Sequence, residues 1–234
     1  MVCNVITADK ANRLYWLGRY AERVYISLHL LRRYCDKVID GDISDFNEYY
    51  TALGVKTTSD EHMYNEALHL SQLYDKTNIY SINSSLSLAN DNGIILRRDI
   101  TSESLSYLQM SQVILEECAQ REEKNITMFQ PITDYMLSFF GSLDERVFNK
   151  HIRNFIKYGK LVENIDLHIR FNYPFYRIEE AYLSLKEYAQ REEAHINAEK
   201  IDLLDKLICE EKYACANEEY KQEVLFHINN LILV

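Results

Sequence analysis

LYWLGRYAERVYISLHLLRRYCDKV, residues 14–38, is the stretch whose reading decides the fold. Leu14, Leu17, Ala21, Val24, Leu28, Leu31, Cys35 and Val38 recur at steps of three and four. That spacing sets all eight side chains on one stripe of an α-helix. Near the middle, Tyr15, Trp16, Tyr20, Tyr25 and Ile26 extend the apolar character to nearly every side. A helix apolar all round is central to its domain. Arg19, Glu22 and Arg23 on it are therefore expected to be partly buried and paired.

Working outward, Asp40-Gly41-Asp42 ends this helix, because glycine takes the left-handed C-terminal conformation readily. A short helix over 44–53 is closed by Gly54, and 56–60 reads as a loop. Helical periods return over 61–74 and 81–98, and Thr101 or Ser102 offers the N-cap of the next helix. Residues 120–125 read as a charged solvated face or turn, and Pro131 suits a first helical turn. Gly141 is expected to stop that helix, with Ser142-Leu-Asp-Glu145 as a capping box for a long helix over 143–171. A further pattern runs from Ile178 to Leu203, and a last one spans 218–233. No stretch alternates as a strand does. The predicted fold class is an all-α helical bundle with an internal pseudo-repeat of a long central helix. It is read as a single domain over 1–234 whose halves are roughly 9–125 and 131–234.

Composition agrees. Six Gly and two Pro in 234 residues are too few for the turns of a many-stranded β fold. Eighteen Tyr suit the boundaries between helices, where the ring packs and the hydroxyl finds a partner. A net charge of −10 repels phosphate backbones, so nucleic acid is not an expected partner. No apolar run is long enough for a membrane span, and Met1–Ile6 lacks the features of a signal peptide. Five cysteines without a C-x-x-C pair read as reduced thiols, which gives a cytoplasmic expectation.

The repeat rests on one alignment. At an offset of 141 residues, Leu14, Leu17, Ala21, Val24 and Leu28 fall on Phe155, Tyr158, Val162, Ile165 and Ile169. Gly18 then falls on Gly159, Arg19 on Lys160 and Glu22 on Glu163. A helix-interior glycine costs about 1 kcal/mol against alanine, so two at matched positions in a Gly-poor chain point to a close helix crossing. The bland reading is that two amphipathic helices can always be aligned and that their charges are solvated. Against it stands the joint agreement of glycine, base and acid.

Asn12-Arg-Leu-Tyr-Trp-Leu-Gly-Arg-Tyr-Ala-Glu-Arg-Val24 resembles the opening LYWxGRYxER motif of the bacterial alpha-E family, an α-helical domain named for its Glu-Arg pair. Phe155 to Asp166 is similar to that family's second motif, with Lys160 and Asn164 where Arg is usual. From Ser81 to Leu105, Ala89, Asn92, Arg97, Thr101 and Glu103 match a central stretch, while Asn90, Asp91 and Ile94 depart from it. The resemblance implies an all-α domain associated with ATP-grasp amide-bond-forming proteins and transglutaminase-like proteins, in peptide synthesis or modification.

Three functions follow as expectations. The first is a partner or scaffold for a peptide or an ATP-grasp protein, with no cofactor and with a homo-oligomer admitted. The chain has no phosphate-binding loop, nucleophile elbow or H-E-x-x-H motif. The second is an enzyme acting on a peptide or a phosphate-bearing substrate. Glu22 or Glu163 would be its base, and Arg19, Arg23, Arg97, Lys160, Glu103 and Asn92 would hold the substrate. The third is a di-metal bundle using the Glu-x-x-His pairs Glu66/His69 and Glu192/His195, for which a solvated charged face is the commoner explanation. No metal ligand is assigned.

Overall fold

The computed structural model describes residues 6–43, 46–54, 66–191 and 196–232. Twelve α-helices are found among them. They are α1 (Ala8–Asp40), α2 (Asn47–Ala52), α3 (Glu66–Tyr74), α4 (Ile82–Ile95), α5 (Arg97–Ile100) and α6 (Ser102–Gln120). After a 3-10 turn at Ile126–Phe129 come α7 (Gln130–Arg146), α8 (Lys150–Arg170), α9 (Phe175–Arg191), α10 (Ala198–Leu207), α11 (Glu210–Ala214) and α12 (Glu218–Asn229). The only extended pairing among the described residues is a single antiparallel bridge between Ile196 and Ile232. The chain is all-α.

Local chemistry sets the ends. Gly41 and Gly54 take φ of +80° and +75° and terminate α1 and α2 as their sequence positions require. Ser81, Asn149, Asn197 and Asn217 cap α4, α8, α10 and α12, each accepting a hydrogen bond from a backbone N–H in the first turn. At the end of α8, Asn172 adopts φ +51° and Tyr173 N–H donates to the His168 carbonyl at 2.9 Å. This six-to-one closure satisfies orphan carbonyls just before Pro174.

Four expectations are corrected. Gly141 does not stop a helix, and Ser142 to Glu145 is not a capping box: α7 runs through all of them to Arg146. Buried Phe139, Phe140 and Leu143 hold that turn against its neighbours, and their burial outweighs the propensity cost of one glycine. The long helix that follows begins at Lys150 instead, capped by Asn149. The pattern from Ile178 to Leu203 belongs to two helices, α9 and α10, not one.

The chain divides into two compact units, residues 1–19 with 148–234, and residues 20–147. The boundary falls within α1. In the first unit α8 packs on α9 and α12, and α12 on α10. Its core joins Tyr15, Tyr158, Val162, Ile165 and Ile169 to Ile178, Leu185, Leu204, Val224, Ile228 and Leu231. In the second unit α6 lies against α7 and α4, and α3 against α4. Gly93 of α4 faces α6, where a Cβ would come within 2.8 Å of the Leu105 side chain.

Candidate functional site

The first unit is organised by a crossing of α8 with the opening turns of α1. A Cβ built on Gly18 would overlap the carbonyl oxygen of Ile156 and reach within 3.0 Å of the Lys160 nitrogen. A Cβ built on Gly159 would overlap the carbonyl oxygen of Tyr15 and come within 3.2 Å of the Arg19 nitrogen. Tyr15 and Ile156 stand at the same 141-residue offset as Gly18 and Gly159, and Arg19 and Lys160 do too. The contact is thus reciprocal about the crossing point. Only glycine permits two helix backbones to approach so closely.

One turn beyond the contact sits a charged cluster. Arg19 Nε donates to Glu163 Oε2 at 2.6 Å, and Arg19 Nη2 stands 3.9 Å from Asp166 Oδ2. Arg170 Nε donates to Asp166 Oδ1 at 2.5 Å. Asn229 of α12 donates through Nδ2 to Asp166 Oδ2 at 2.6 Å. Arg19 Nη1 also donates to the Tyr15 hydroxyl at 3.3 Å, and its guanidinium lies 4.9 Å from the centre of the Trp16 ring. Two guanidinium groups thus meet two carboxylates.

The centre of the cluster is buried, while Arg170 at its edge is 25% exposed. The side chains of Arg19 and Glu163 are 5% and 2% exposed, and that of Asp166 is 7% exposed. Burial works against the Arg19 charge, but Glu163, Tyr15 and Asp166 outweigh it and raise the guanidinium pKa above its ordinary value. Burial likewise pushes up the Tyr15 phenol, against the opposing pull of Arg19. Arg19 is a permanent cation held by hydrogen-bonded carboxylates. Removing either partner would leave the other's charge buried without its closest counter-charge.

The remaining predicted residues are distributed otherwise. Glu22 is buried, at 1% exposure, in the second unit. Arg23 is half-buried with its guanidinium 5.6 Å from the centre of the Tyr20 ring. Lys160 is half-buried in the first unit. In the second unit Asn92 is half-buried on α4, Arg97 is exposed at the start of α5, and Glu103 is exposed in the first turn of α6. Hydrogen bonds from its own backbone N–H and from Thr101 hold the Glu103 carboxyl below its ordinary pKa. Of the predicted site residues, the structure brings Arg19 and Glu163 into direct contact.

Asp166, Arg170 and Asn229 complete the cluster without having been singled out from the sequence. Asp166 could have been found, because it lies three residues beyond Glu163 on the same buried face. Asn229 could not, since only the folded position of α12 brings it there. Of the residues weighed for a metal, His69 is buried with its ring 5.8 Å from that of Phe46, and burial lowers its pKa. Glu192, His195 and the side chain of Glu66 lie outside the described residues. Among the described residues no group of three or more His, Cys, Asp or Glu is arranged to hold a metal ion.

Residues 8–208 match a family model described as a predicted alpha-helical domain with a conserved ER motif. The opening helix carries such a pair at Glu22-Arg23. No curated protein and no solved structure matches the chain.

Proposed function

The chain belongs to the Alpha-E family, and from that premise we propose that it acts as a helical partner or scaffold. In this role it positions a peptide, or an ATP-grasp amide-bond-forming protein, during peptide synthesis or modification. The observation that supports the role is the state of the Arg19–Glu163 pair. A base that abstracts a proton must reach its substrate within hydrogen-bond distance. Glu163 instead accepts from a guanidinium inside the core, with Asp166 and Arg170 beside the pair. Removing either partner of such a buried pair would strand the other's charge, which suits a role in ordering the fold.

Contact surface is available elsewhere on the first unit, where Phe148 is 96% exposed and Tyr176, Leu183 and Phe226 also stand in solvent. Aromatic side chains of this kind are enriched where proteins meet. A cytoplasmic setting accords with the role, as Cys35, Cys118, Cys209 and Cys215 are free thiols. No helix among the described residues is long and apolar enough to cross a membrane.

The test mixes the full chain with an ATP-grasp amide ligase from the same cell and follows mass by light scattering after gel filtration. A stoichiometric complex that lowers the ligase's KM for its peptide is expected. Turnover of a peptide by the chain alone, abolished in a folded Glu22→Gln variant, would replace the scaffold by an enzyme. Failure of the two proteins to associate at micromolar concentration would remove the ligase partnership.

A further inference from the structure

A second feature, in residues 20–147, is independent of the scaffold role. Helix α4 turns Ile82, Leu86, Ala89 and Gly93 into the core of that unit. Its opposite side keeps a helical spacing of its own: Leu88, Asp91 and Ile95 stand in solvent, with Ile94 exposed beside them. Steps of three, four and three carry this stripe on to Arg98 in α5, which is exposed too. Leu96 joins the two helices, donating to the Asn92 carbonyl at 2.9 Å and accepting from Ile100 N–H at 3.1 Å.

Single apolar side chains on a surface are ordinary, but three within little more than two turns form a patch. Ile95 is 59% exposed near its middle. The charges on the stripe give it a direction. Asp91 and Arg98 lie two turns apart, about 10 Å along the axis. Neither has an ion pair or a side-chain hydrogen bond among the described residues. A second copy laid parallel on the stripe would set like charges side by side. An antiparallel copy, related by a two-fold axis between Ile94 and Ile95, sets Asp91 opposite Arg98 twice and packs the isoleucines across the axis. Charge complementarity and apolar cover thus select the same arrangement.

We propose that the exposed stripe of α4 and α5 is a contact between two copies of this chain, paired antiparallel about that axis. The Asp91 carboxylate of each copy accepts from the Arg98 guanidinium of the other, and Leu88, Ile94 and Ile95 exclude water between them. A face of about three turns falls short of the ~800 Å² per partner that stable complexes bury, so the dimer is weak and reversible. The net charge of −10 on each copy opposes it as well.

Sedimentation equilibrium of the full chain, up to about 300 μM, measures this. A monomer–dimer equilibrium with a dissociation constant of about 10–100 μM is expected. Asp91→Arg leaves the stripe with positive charge alone, and Arg98→Asp leaves it with negative charge alone. Each should weaken self-association by about tenfold or more while circular dichroism shows the fold retained. An equimolar mixture of these two variants should associate again as hetero-dimers, because each position then meets its opposite. Ile95→Ser, which alters no charge, should also weaken the dimer and keeps the test decisive if a charge variant does not fold. A parent chain that stays monomeric at about 300 μM, a folded variant that dimerises as well as the parent, or a mixture that stays monomeric would overturn the proposal.

Discussion

His168 shows how one side chain ties this fold to pH. It is buried at the end of α8, its ring stacked 4.2 Å from that of Tyr173. Its Nδ1 has no hydrogen-bond partner among the described residues. Burial, reinforced by the charge of Arg177, lowers its pKa from 6.5 to about 4. The depressed value means that the folded state resists protonation while the unfolded chain accepts it. The contribution to stability is therefore complete above pH 6.5 and declines as pH falls toward 4, by at most about 3 kcal/mol. Denaturant unfolding at pH 7 and pH 4.5 should show a smaller pH loss in His168→Phe, which keeps the stacked ring, than in the parent chain. Equal losses would show that His168 is not the titrating group. Local sequence beside an apolar stripe suits a buried histidine whose polar atoms are satisfied; among the described residues its Nδ1 is not.

At the scale of elements, glycine carries opposite meanings at different positions. Gly18 and Gly159 are helix-interior residues whose missing side chains admit a neighbouring backbone. Gly141 is also helical, but exposed, with nothing within 4 Å of where a Cβ would lie. Alanine at Gly18 or Gly159 should destabilise by about 1–3 kcal/mol or more despite its better helix propensity, because backbone cannot yield as a flexible side chain can. Alanine at Gly141 should instead stabilise by about 0.5–1 kcal/mol. Thermal unfolding of the three variants checks both signs, and a raised Tm for Gly18→Ala would refute the crossing.

The same contrast explains what could be read beforehand. The crossing was legible because glycine, base and acid recurred together on matched helices, a pattern set by local spacing. The status of Gly141 was not, because an isolated glycine next to a serine has the same local chemistry whether its helix stops or continues. What decides the matter is the tertiary burial of Phe139, Phe140 and Leu143. The Asn caps at 149, 197 and 217 carry a local signal that could have set the starts of α8, α10 and α12.

For the whole molecule, the family match covers residues 8–208 and so reaches into both compact units. The core of the first unit also uses Val224, Ile228 and Leu231, beyond the match, and α12 supplies Asn229 to the charged cluster. The end of the chain thus completes a cluster whose Arg19, Glu163 and Asp166 lie in the motif segments and whose Arg170 lies just beyond them. What the motifs mark here is a buried base–acid pair at a glycine crossing, and the proposed scaffold role rests on the burial of that pair.

A double-mutant cycle on denaturant unfolding, with Arg19→Met, Glu163→Leu and both together, measures this directly. Each single change strands a buried charge and should lower stability by about 3–5 kcal/mol, whereas the double variant should return close to the parent chain. Single losses below about 0.5 kcal/mol, or losses that simply add, would contradict a structural pair.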